Sequence, residues 1–226
     1  MSNAKKICGV DEAGRGAVIG PLVVAGVAVS EDAVQAIIET GAKDSKKLSK
    51  KKREQIYERL KNLGVEASYR LLEPEKVDSY TRRRGGPGIN SLELEAIVSI
   101  AEELQPHILV VDSPLRNYEK LQAELSKRLN SIEIICRCHA DSDYPVVGAA
   151  SVVAKVIRDL TIAELSKTLG EIGSGYPSDP KTISYIRQLI AHGGLSREVR
   201  RSWRTIDRVM PRLTDYLDTG GDTKLS

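Results

Sequence analysis

Four carboxylates follow short apolar runs that have the character of strands. Asp11 and Glu12 are adjacent at the end of the first run, and Gly14-Arg15-Gly16 comes one alanine later. Asp112 ends another run, and Asp141 lies just past a third. Strand ends meet near a topological switch point in a layered α/β sheet, so these acids are expected to converge. Converging carboxylates repel one another strongly unless cations bind them.

Hard divalent cations would relieve that repulsion. Mg²⁺ is typically bound by a few carboxylates together with phosphate oxygens of a substrate. Two such ions ~3.5–4 Å apart form the clamp used for in-line cleavage of a phosphodiester. We therefore expect a two-metal site for Mg²⁺ or Mn²⁺, although any one of these acids taken alone is more often a surface or capping residue.

Strands and helices alternate along the chain. Ile7–Glu12 and Leu22–Val29 are Val-rich and bounded by glycines, which predicts neighbouring strands joined through the turn Gly14–Gly20. Further strands are predicted at Val65–Leu72, closed by Pro74, at His107–Val111 and at Ile132–Cys138. The alternation indicates crossover units and a layered α/β domain.

Helical periodicity and capping residues predict the helices. Ser49 stands as an N-cap before a helix that Gly64 ends, and Asn90 with Glu93 forms a capping-box pattern before a second helix. Further helices are predicted at Leu115–Leu129, at Val147–Leu169, which is buried at its start, and at Lys181–His192.

Composition sets the broad class of protein. The chain has 226 residues, 41% of them hydrophobic and 29% charged, with a formal net charge of +3. That profile is typical of a soluble globular protein. The longest apolar stretch, Pro21–Val29, is far shorter than the ~20 residues that span a bilayer. We expect a cytoplasmic protein without a membrane partner, with residues 1–4 an expression scar and residues 219–226 disordered.

The three cysteines, Cys8, Cys136 and Cys138, do not form an even-numbered disulfide framework. Free thiols in a reducing compartment are the simplest interpretation. The segment Cys136-x-Cys138-His139 has the start of a zinc pattern, but the sequence offers no second ligand pair, which argues against zinc.

Basic residues are clustered in three places: Lys43–Arg53, Arg82–Arg84 and Arg197–Arg212. Such clusters suit a phosphate backbone, whereas each cluster alone could equally be an ordinary solvated face. Trp203, within the last cluster, is more often a packing residue than a stacking platform. Arg158 and Asp159 could support the site from behind or form a surface ion pair.

The order of several motifs resembles that of ribonuclease HII, the type 2 ribonucleases H, and most of all its archaeal branch. The resemblance covers roughly Ile7 to Thr205. Its motifs are Gly9–Gly16 with Gly20-Pro21, Asp44–Ser49, Val111–Ser113, Ala140-Asp141 with Tyr144-Pro145, Ala149–Ser151, Ala154-Lys155, Arg158-Asp159, Gly173–Pro177 and Arg200–Trp203.

The resemblance implies a fold and a set of metal ligands. The fold would be α/β and ribonuclease H-like, a five-stranded mixed sheet flanked by helices, with a catalytic domain at residues 5–180 and a C-terminal helical extension at 181–218. The four metal-binding acids of the family match Asp11, Glu12, Asp112 and Asp141, with Asp143 the alternative for the last.

The resemblance also implies a substrate. The family cleaves RNA paired with DNA on the 5′ side of a ribonucleotide, including single ribonucleotides embedded in DNA. Gly14-Arg15-Gly16 matches the segment that reads the ribose 2′-hydroxyl through its backbone, and Tyr176 matches the tyrosine that stacks on the following sugar. Lys46, or its neighbour Lys47, matches a basic residue near the scissile phosphate. The chain is expected to be monomeric, and a sliding-clamp partner is possible although the C-terminal tail shows no clear clamp-binding motif.

The residues argue against other classes of protein. Gly9-x-x-x-x-Gly14 superficially resembles the phosphate loop of a phosphotransferase, but Arg15 and Gly16 replace its lysine and Ser/Thr. A non-catalytic nucleic-acid-binding protein would not need the full set of acids. A type 3 ribonuclease H would carry an added N-terminal domain before the first strand.

Overall fold

A five-stranded mixed sheet forms the centre of the protein in the computed structural model, which describes residues 4–43, 48–114 and 117–210. The order of the strands is β3-β2-β1-β4-β5. The pairs β1/β2 and β2/β3 are antiparallel, whereas β1/β4 and β4/β5 are parallel. The strands are β1 (Lys6–Ala13), β2 (Leu22–Ser30), β3 (Glu66–Leu72), β4 (Ile108–Asp112) and β5 (Glu133–Arg137). All five lie where the sequence predicts them.

The helices are α1 (Val34–Thr40), α2 (Lys50–Asn62), α3 (Pro74–Tyr80), α4 (Ile89–Leu104), α5 (Tyr118–Arg128), α6 (Ala140–Asp143), α7 (Pro145–Leu169), α8 (Pro180–Ala191) and α9 (Arg204–Val209). The short helices α1, α3, α6 and α9 were not predicted, because one or two turns give too little periodicity to detect. Pro74 is the first residue of α3, where its missing N–H costs nothing.

The start of α4 differs from the prediction. Its N-cap is Gly88, with φ at +109°, and Asn90 lies inside the first turn. The predicted capping box is therefore wrong, because the side chains of Asn90 and Glu93 instead contact Arg15. The Ser49 cap is confirmed, since its Oγ accepts a hydrogen bond from the Lys52 backbone N–H at 3.3 Å.

Helices cover both faces of the sheet. Helices α2 and α7 pack with the sheet in one hydrophobic cluster, and α4 and α5 pack in a second. The start of α7 lies directly against β1, since a Cβ on Gly9 would stand 2.3 Å from the backbone of Val146 and Val147. Only glycine allows this approach, which fixes β1 firmly against the buried helix.

The segment beyond residue 180 packs on the turn that follows β1. Val18 and Ile19 share a hydrophobic cluster with Ile186 of α8 and Ile206 of α9. Ile19 also forms an isolated antiparallel bridge with Val199. The turn between β1 and β2 is thus held by residues from the other end of the chain. Among the described residues, no helix is both long and apolar enough to cross a membrane.

Candidate active site

Three of the predicted carboxylates lie at the ends of two neighbouring strands. Asp11 and Glu12 are in the last residues of β1, and Asp112 is the last residue of β4. The two strands are parallel, with Val10 paired to Val111, so the residues that follow these two positions lie at the same edge of the sheet. The convergence expected from the strand order is therefore present for these three acids.

The three carboxylates line one cavity of about 630 Å³. The remaining wall is largely apolar and comes from the sheet and from α4, with Val10, Val24, Leu94, Ile97 and Val111 among its side chains. Asp11 is only 5% exposed. Charges beside such a wall interact more strongly than they would in bulk water.

The carboxylates act on one another electrostatically. Burial, and next the negative charge of Asp11, raise the pKa of Glu12 well above its ordinary value; the charges of Glu93 and Asp112 act in the same direction. The backbone N–H of Glu12 donates to Asp11 Oδ1 at 2.7 Å, which holds the pair in a fixed relation. This excess of negative charge is what a bound cation would relieve.

Asp141 is not among the residues that line this cavity. It is on the short helix α6, is 2% exposed, and directly follows Ala140, whose backbone N–H donates to Asp112 Oδ1 at 2.9 Å. His139, with φ at +60°, turns the chain from β5 into α6. Asp143, the alternative, is exposed. The structure ties α6 to Asp112, and the ligand role of Asp141 stays a prediction.

The donor set is suited to a hard divalent cation. As placed, no three His, Cys, Asp or Glu side chains in the described ranges stand close enough to form a complete metal-binding group. Asp11, Glu12 and Asp112 nevertheless supply only oxygen donors, line one cavity and repel one another. These are the ligand properties that Mg²⁺ and Mn²⁺ prefer, so these three residues would hold the ion.

The glycine turn, Gly14–Gly16, closely follows Asp11 and Glu12, and its first glycine is crowded whereas its last is open. Gly14 has φ at +84°, and a Cβ there would lie 2.5 Å from Arg158 Nε and 2.8 Å from Pro21 O. Gly16 is exposed, and no described atom lies within 4 Å of the position its Cβ would take. A ligand can therefore approach the backbone at Gly16 closely.

Arg15, between these glycines, is bound on both its side chain and its main chain. Its Nε forms an ion pair with Glu93 Oε1 at 2.8 Å, and its Nη2 donates to Asn90 Oδ1. Its carbonyl oxygen accepts a hydrogen bond from Arg200 Nη1 at 3.0 Å. The local pattern predicts a capping role for Asn90 and Glu93 and no role for the Arg200 side chain, so sequence reasoning missed these contacts.

Tyr176 lies over a buried arginine. The Arg158 guanidinium is 4.3 Å from the centroid of the Tyr176 ring and donates through Nη2 to Ser174 O at 2.8 Å. Arg158 is 4% exposed, so it is not a surface ion-pair partner; Asp159 instead pairs with Arg53 at 2.8 Å. Arg158 also lies against Gly14 and Gly175, so it connects the loop that carries Tyr176 with the glycine turn.

Arg200 is the largest fully buried side chain among the described residues. It donates to the carbonyls of Arg15 and Gly20, and its guanidinium lies 5.0 Å from the Trp203 ring centroid. Desolvation, followed by the like charge of Arg158, lowers its pKa to about 9. Trp203 is partly buried and packs against two hydrophobic clusters, which confirms its interpretation as a packing residue.

Buried Asp78 fastens the segment around Arg200. Its carboxylate accepts the backbone N–H groups of Arg201 and Ser202 at 2.8 and 3.0 Å and the Ser202 hydroxyl. Arg83 donates to Ser202 O and forms an ion pair with Asp207 at 2.7 Å. Arg83 therefore stabilises the packing of the C-terminal segment through Ser202 and Asp207, whereas Arg82 lines the cavity.

Lys46 and Lys47, the basic residues expected near the scissile phosphate, lie outside the described residues.

The three cysteines are free, as predicted, with Cys8 and Cys136 buried. Burial raises the pKa of both buried thiols to about 12, so they are unreactive near neutral pH.

The raised pKa values predict how stability depends on pH. Burial raises the pKa of Glu93 to about 7, and Glu12 shifts in the same direction. Between pH ~4.5 and 7 these two acids therefore bind more protons in the folded protein than in the unfolded chain, and their contribution to the free energy of unfolding falls as pH rises. In EDTA, the Tm should fall by about 2–4 °C for each kcal/mol lost, and Mg²⁺ should restore it most above pH 7.

Thermal unfolding from pH 5 to 8, with EDTA or with Mg²⁺, measures this effect. Glu12→Gln and Glu93→Gln should each give a shallower fall of Tm in EDTA, because neither variant carboxamide titrates. A Tm that stays constant or rises across this range in EDTA, for the unmodified protein, would contradict the assignment of the shift to these two acids.

Comparisons with known proteins agree on one family. A family model described as Ribonuclease HII matches residues 8–206. A "Ribonuclease HII" from Methanocella arvoryzae is 43% identical over 207 residues, covering 90% of this chain and 91% of the relative. A solved structure of a PCNA:RNase HII complex from Archaeoglobus fulgidus matches with a TM-score of 0.82 and 38% identity, covering 92% of this chain and 99% of the other.

A second solved structure shows the same relation. The ribonuclease H2 from Pyrococcus horikoshii OT3 matches with a TM-score of 0.82 and 34% identity, over 90% of this chain and 96% of the other. The similarity thus spans the sheet, the flanking helices and the segment beyond residue 180 together.

Proposed function

This chain belongs to the ribonuclease HII family, endonucleases of ribonuclease H type that act on RNA/DNA hybrids, and we propose that it cuts on the 5′ side of a ribonucleotide, including a single ribonucleotide embedded in duplex DNA. The observation that carries this proposal is the spacing along β1. Asp11 and Glu12 line the candidate metal cavity, and Ala13 alone separates them from the glycine turn. Sugar recognition and cleavage would thus share one rigid segment.

The carboxylates bind and orient the reacting groups. Asp11, Glu12 and Asp112, together with Asp141 in our proposal, would hold Mg²⁺ or Mn²⁺. When bound, such ions activate water and stabilise the leaving 3′-oxygen, giving 5′-phosphate and 3′-hydroxyl ends. The apolar side chains beside the carboxylates lower the local polarity, which strengthens the electrostatic field of the acids. No covalent intermediate with the protein is required.

The glycine turn would recognise the ribose. A 2′-hydroxyl both donates and accepts hydrogen bonds, and it is the group that distinguishes RNA from DNA at a single nucleotide. The open side of Gly16 admits a sugar close to the backbone, whereas Gly14 is crowded by Arg158. Tyr176, held over Arg158, would stack on the sugar that follows the ribonucleotide.

Basic residues and a protein partner complete the proposal. Lys46 would lie near the scissile phosphate, and the basic clusters would follow the nucleic-acid backbone, so binding should weaken steeply as salt rises. The Archaeoglobus fulgidus relative was solved in a complex with PCNA. That relative supports a PCNA partner for this chain, although the sequence of the C-terminal tail shows no clear clamp-binding motif.

A nicking assay tests the activity. Purified protein with Mg²⁺ should nick a duplex that carries one ribonucleotide, on the 5′ side of that nucleotide, and leave an otherwise identical all-DNA duplex intact. End labelling should show 5′-phosphate and 3′-hydroxyl products. Binding without cleavage would instead favour a non-catalytic nucleic-acid-binding protein, and equal cleavage of both duplexes would exclude recognition of the ribose.

A further inference from the structure

The side chain of Arg15 is bound inside the protein, although it stands beside the candidate active site. Its guanidinium forms an ion pair with Glu93 and a hydrogen bond with Asn90, both on α4. The Arg15 side chain is 28% exposed, and that of Glu93 only 9%. Because these contacts bind two different nitrogens of one planar guanidinium, they fix the direction of the arginine side chain. Arg15 is therefore engaged before any nucleic acid arrives.

The residue that holds Arg15 is costly to bury. Glu93 lines the same cavity as Asp11 and Glu12, so it adds a further negative charge where the carboxylates already repel one another. A buried carboxylate is tolerated when it is paired with a cation. The positive charge of Arg15 meets this need, which assigns Glu93 to Arg15 and not to a metal ion.

Helix α4 is a firm base for this contact. It packs along the sheet through buried Leu94, Ile97 and Ile100, and Ile100 approaches Gly26 of β2 so closely that a Cβ there would lie 2.4 Å from its Cγ2. On the other side, Arg200 donates to the Arg15 carbonyl oxygen. Arg15 is thus held at its side chain by α4 and at its main chain by Arg200.

We propose that Glu93, with Asn90, is a positioning residue that fixes the Gly14–Gly16 backbone through the Arg15 guanidinium and so sets discrimination between ribose and other sugars. The proposal rests on the proposed function of this turn. A peptide group reads a hydroxyl only when its direction is held, and a displacement of about 1 Å can cost ~10²-fold in rate. Loss of the Glu93 contact should therefore lower selectivity and leave the carboxylates in place.

The test compares two acids on one helix. Glu93→Gln keeps the size of the side chain and removes its charge; Glu103→Gln is the matched control, because Glu103 also pairs with an arginine, Arg70, at 2.7 Å but lies far along α4 and is 54% exposed. We would measure kcat and KM with Mg²⁺ on duplexes that carry one ribonucleotide or, at the same position, one 2′-fluoro nucleotide.

Glu93→Gln should lower the ratio of kcat/KM for the ribose to that for the 2′-fluoro sugar by about 10-fold. Glu103→Gln should leave the ratio unchanged. A fall in kcat on both substrates with an unchanged ratio would show that Glu93 acts only through the carboxylates, and would overturn the proposal. An unchanged ratio and unchanged rates would overturn it as well.

Two further measurements cover other outcomes. If Glu93→Gln does not fold, Arg15→Lys keeps the positive charge but loses the planar fork, and it should show the same loss of ratio. If the unmodified protein cuts neither duplex, the proposed function fails, but positioning can still be measured by hydrogen exchange. The amide of Ala17, which donates to Gly14 O at 3.1 Å, should then exchange faster in Glu93→Gln than in Glu103→Gln; equal exchange would refute the positioning role.

Discussion

Asp112→Asn should lower the rate of cleavage by about 10³-fold while the protein stays folded and still binds its duplex. Asn keeps an oxygen that can accept the hydrogen bond from the Ala140 N–H, now at 2.9 Å, so β4 and α6 should remain joined. The change removes one negative charge from the candidate metal ligands. A bound cation supplies several kcal/mol of transition-state stabilisation, and ~4 kcal/mol corresponds to this factor.

The control for this loss is another aspartate. Asp32 is exposed and directly follows the end of β2 that pairs with the start of β1, at the opposite end of that strand pair from Asp11 and Glu12, so Asp32→Asn removes the same charge without touching the cavity. Single-turnover cleavage at several Mg²⁺ concentrations, with duplex binding measured separately, distinguishes the two variants. If Asp112→Asn cleaves at the unmodified rate while binding persists, Asp112 is not a metal ligand.

Tyr176→Ala should weaken cleavage at a single ribonucleotide by about 5- to 150-fold, and cleavage of a long RNA/DNA hybrid less. Loss of an aromatic stacking partner costs ~1–3 kcal/mol, which is the source of this range. A single ribonucleotide offers one register for binding, whereas a long hybrid offers many. The Arg158 guanidinium beneath the ring is buried, so the loop should keep its conformation through the Arg158–Ser174 hydrogen bond.

Two variants serve as controls for Tyr176→Ala. Tyr176→Phe keeps the ring and should retain most of the activity, because stacking does not need the hydroxyl. Tyr69→Ala removes an exposed tyrosine on β3 and should have no effect on either substrate. An equal loss on single ribonucleotides and long hybrids would remove the proposed role of Tyr176.

The strands and the long helices could be predicted because their signals are local. The Val-rich runs of β1 and β2, the periodicity of α4 and the apolar start of α7 each lie within one short window of sequence. The positions of Asp11 and Asp112 at strand ends follow from the same windows. Their convergence at one sheet edge follows from the parallel pairing that an α/β alternation implies.

The residues that hold the glycine turn could not be predicted, because their partners are distant in sequence. Asn90 lies 75 positions and Arg200 185 positions from Arg15. Locally, Asn90 and Glu93 have the spacing of a capping box, and nothing in their own segment indicates that an arginine of another element binds them. Likewise, the adjacent Arg158 and Asp159 leave both support of the site and a surface ion pair open, whereas in the structure Arg158 is buried and Asp159 pairs with Arg53.

The hydrogen bonds from Arg200 to Arg15 and Gly20 have a consequence for biosynthesis. Ribosomes make proteins from the N-terminus, so β1 and its glycine turn leave the ribosome long before residue 200 is added. Until then the carbonyls of Arg15 and Gly20 lack these bonds, and Val18 and Ile19 lack their partners on α8 and α9. The turn next to the carboxylates can therefore reach its final conformation only late in synthesis, and a nascent chain cannot present it in finished form.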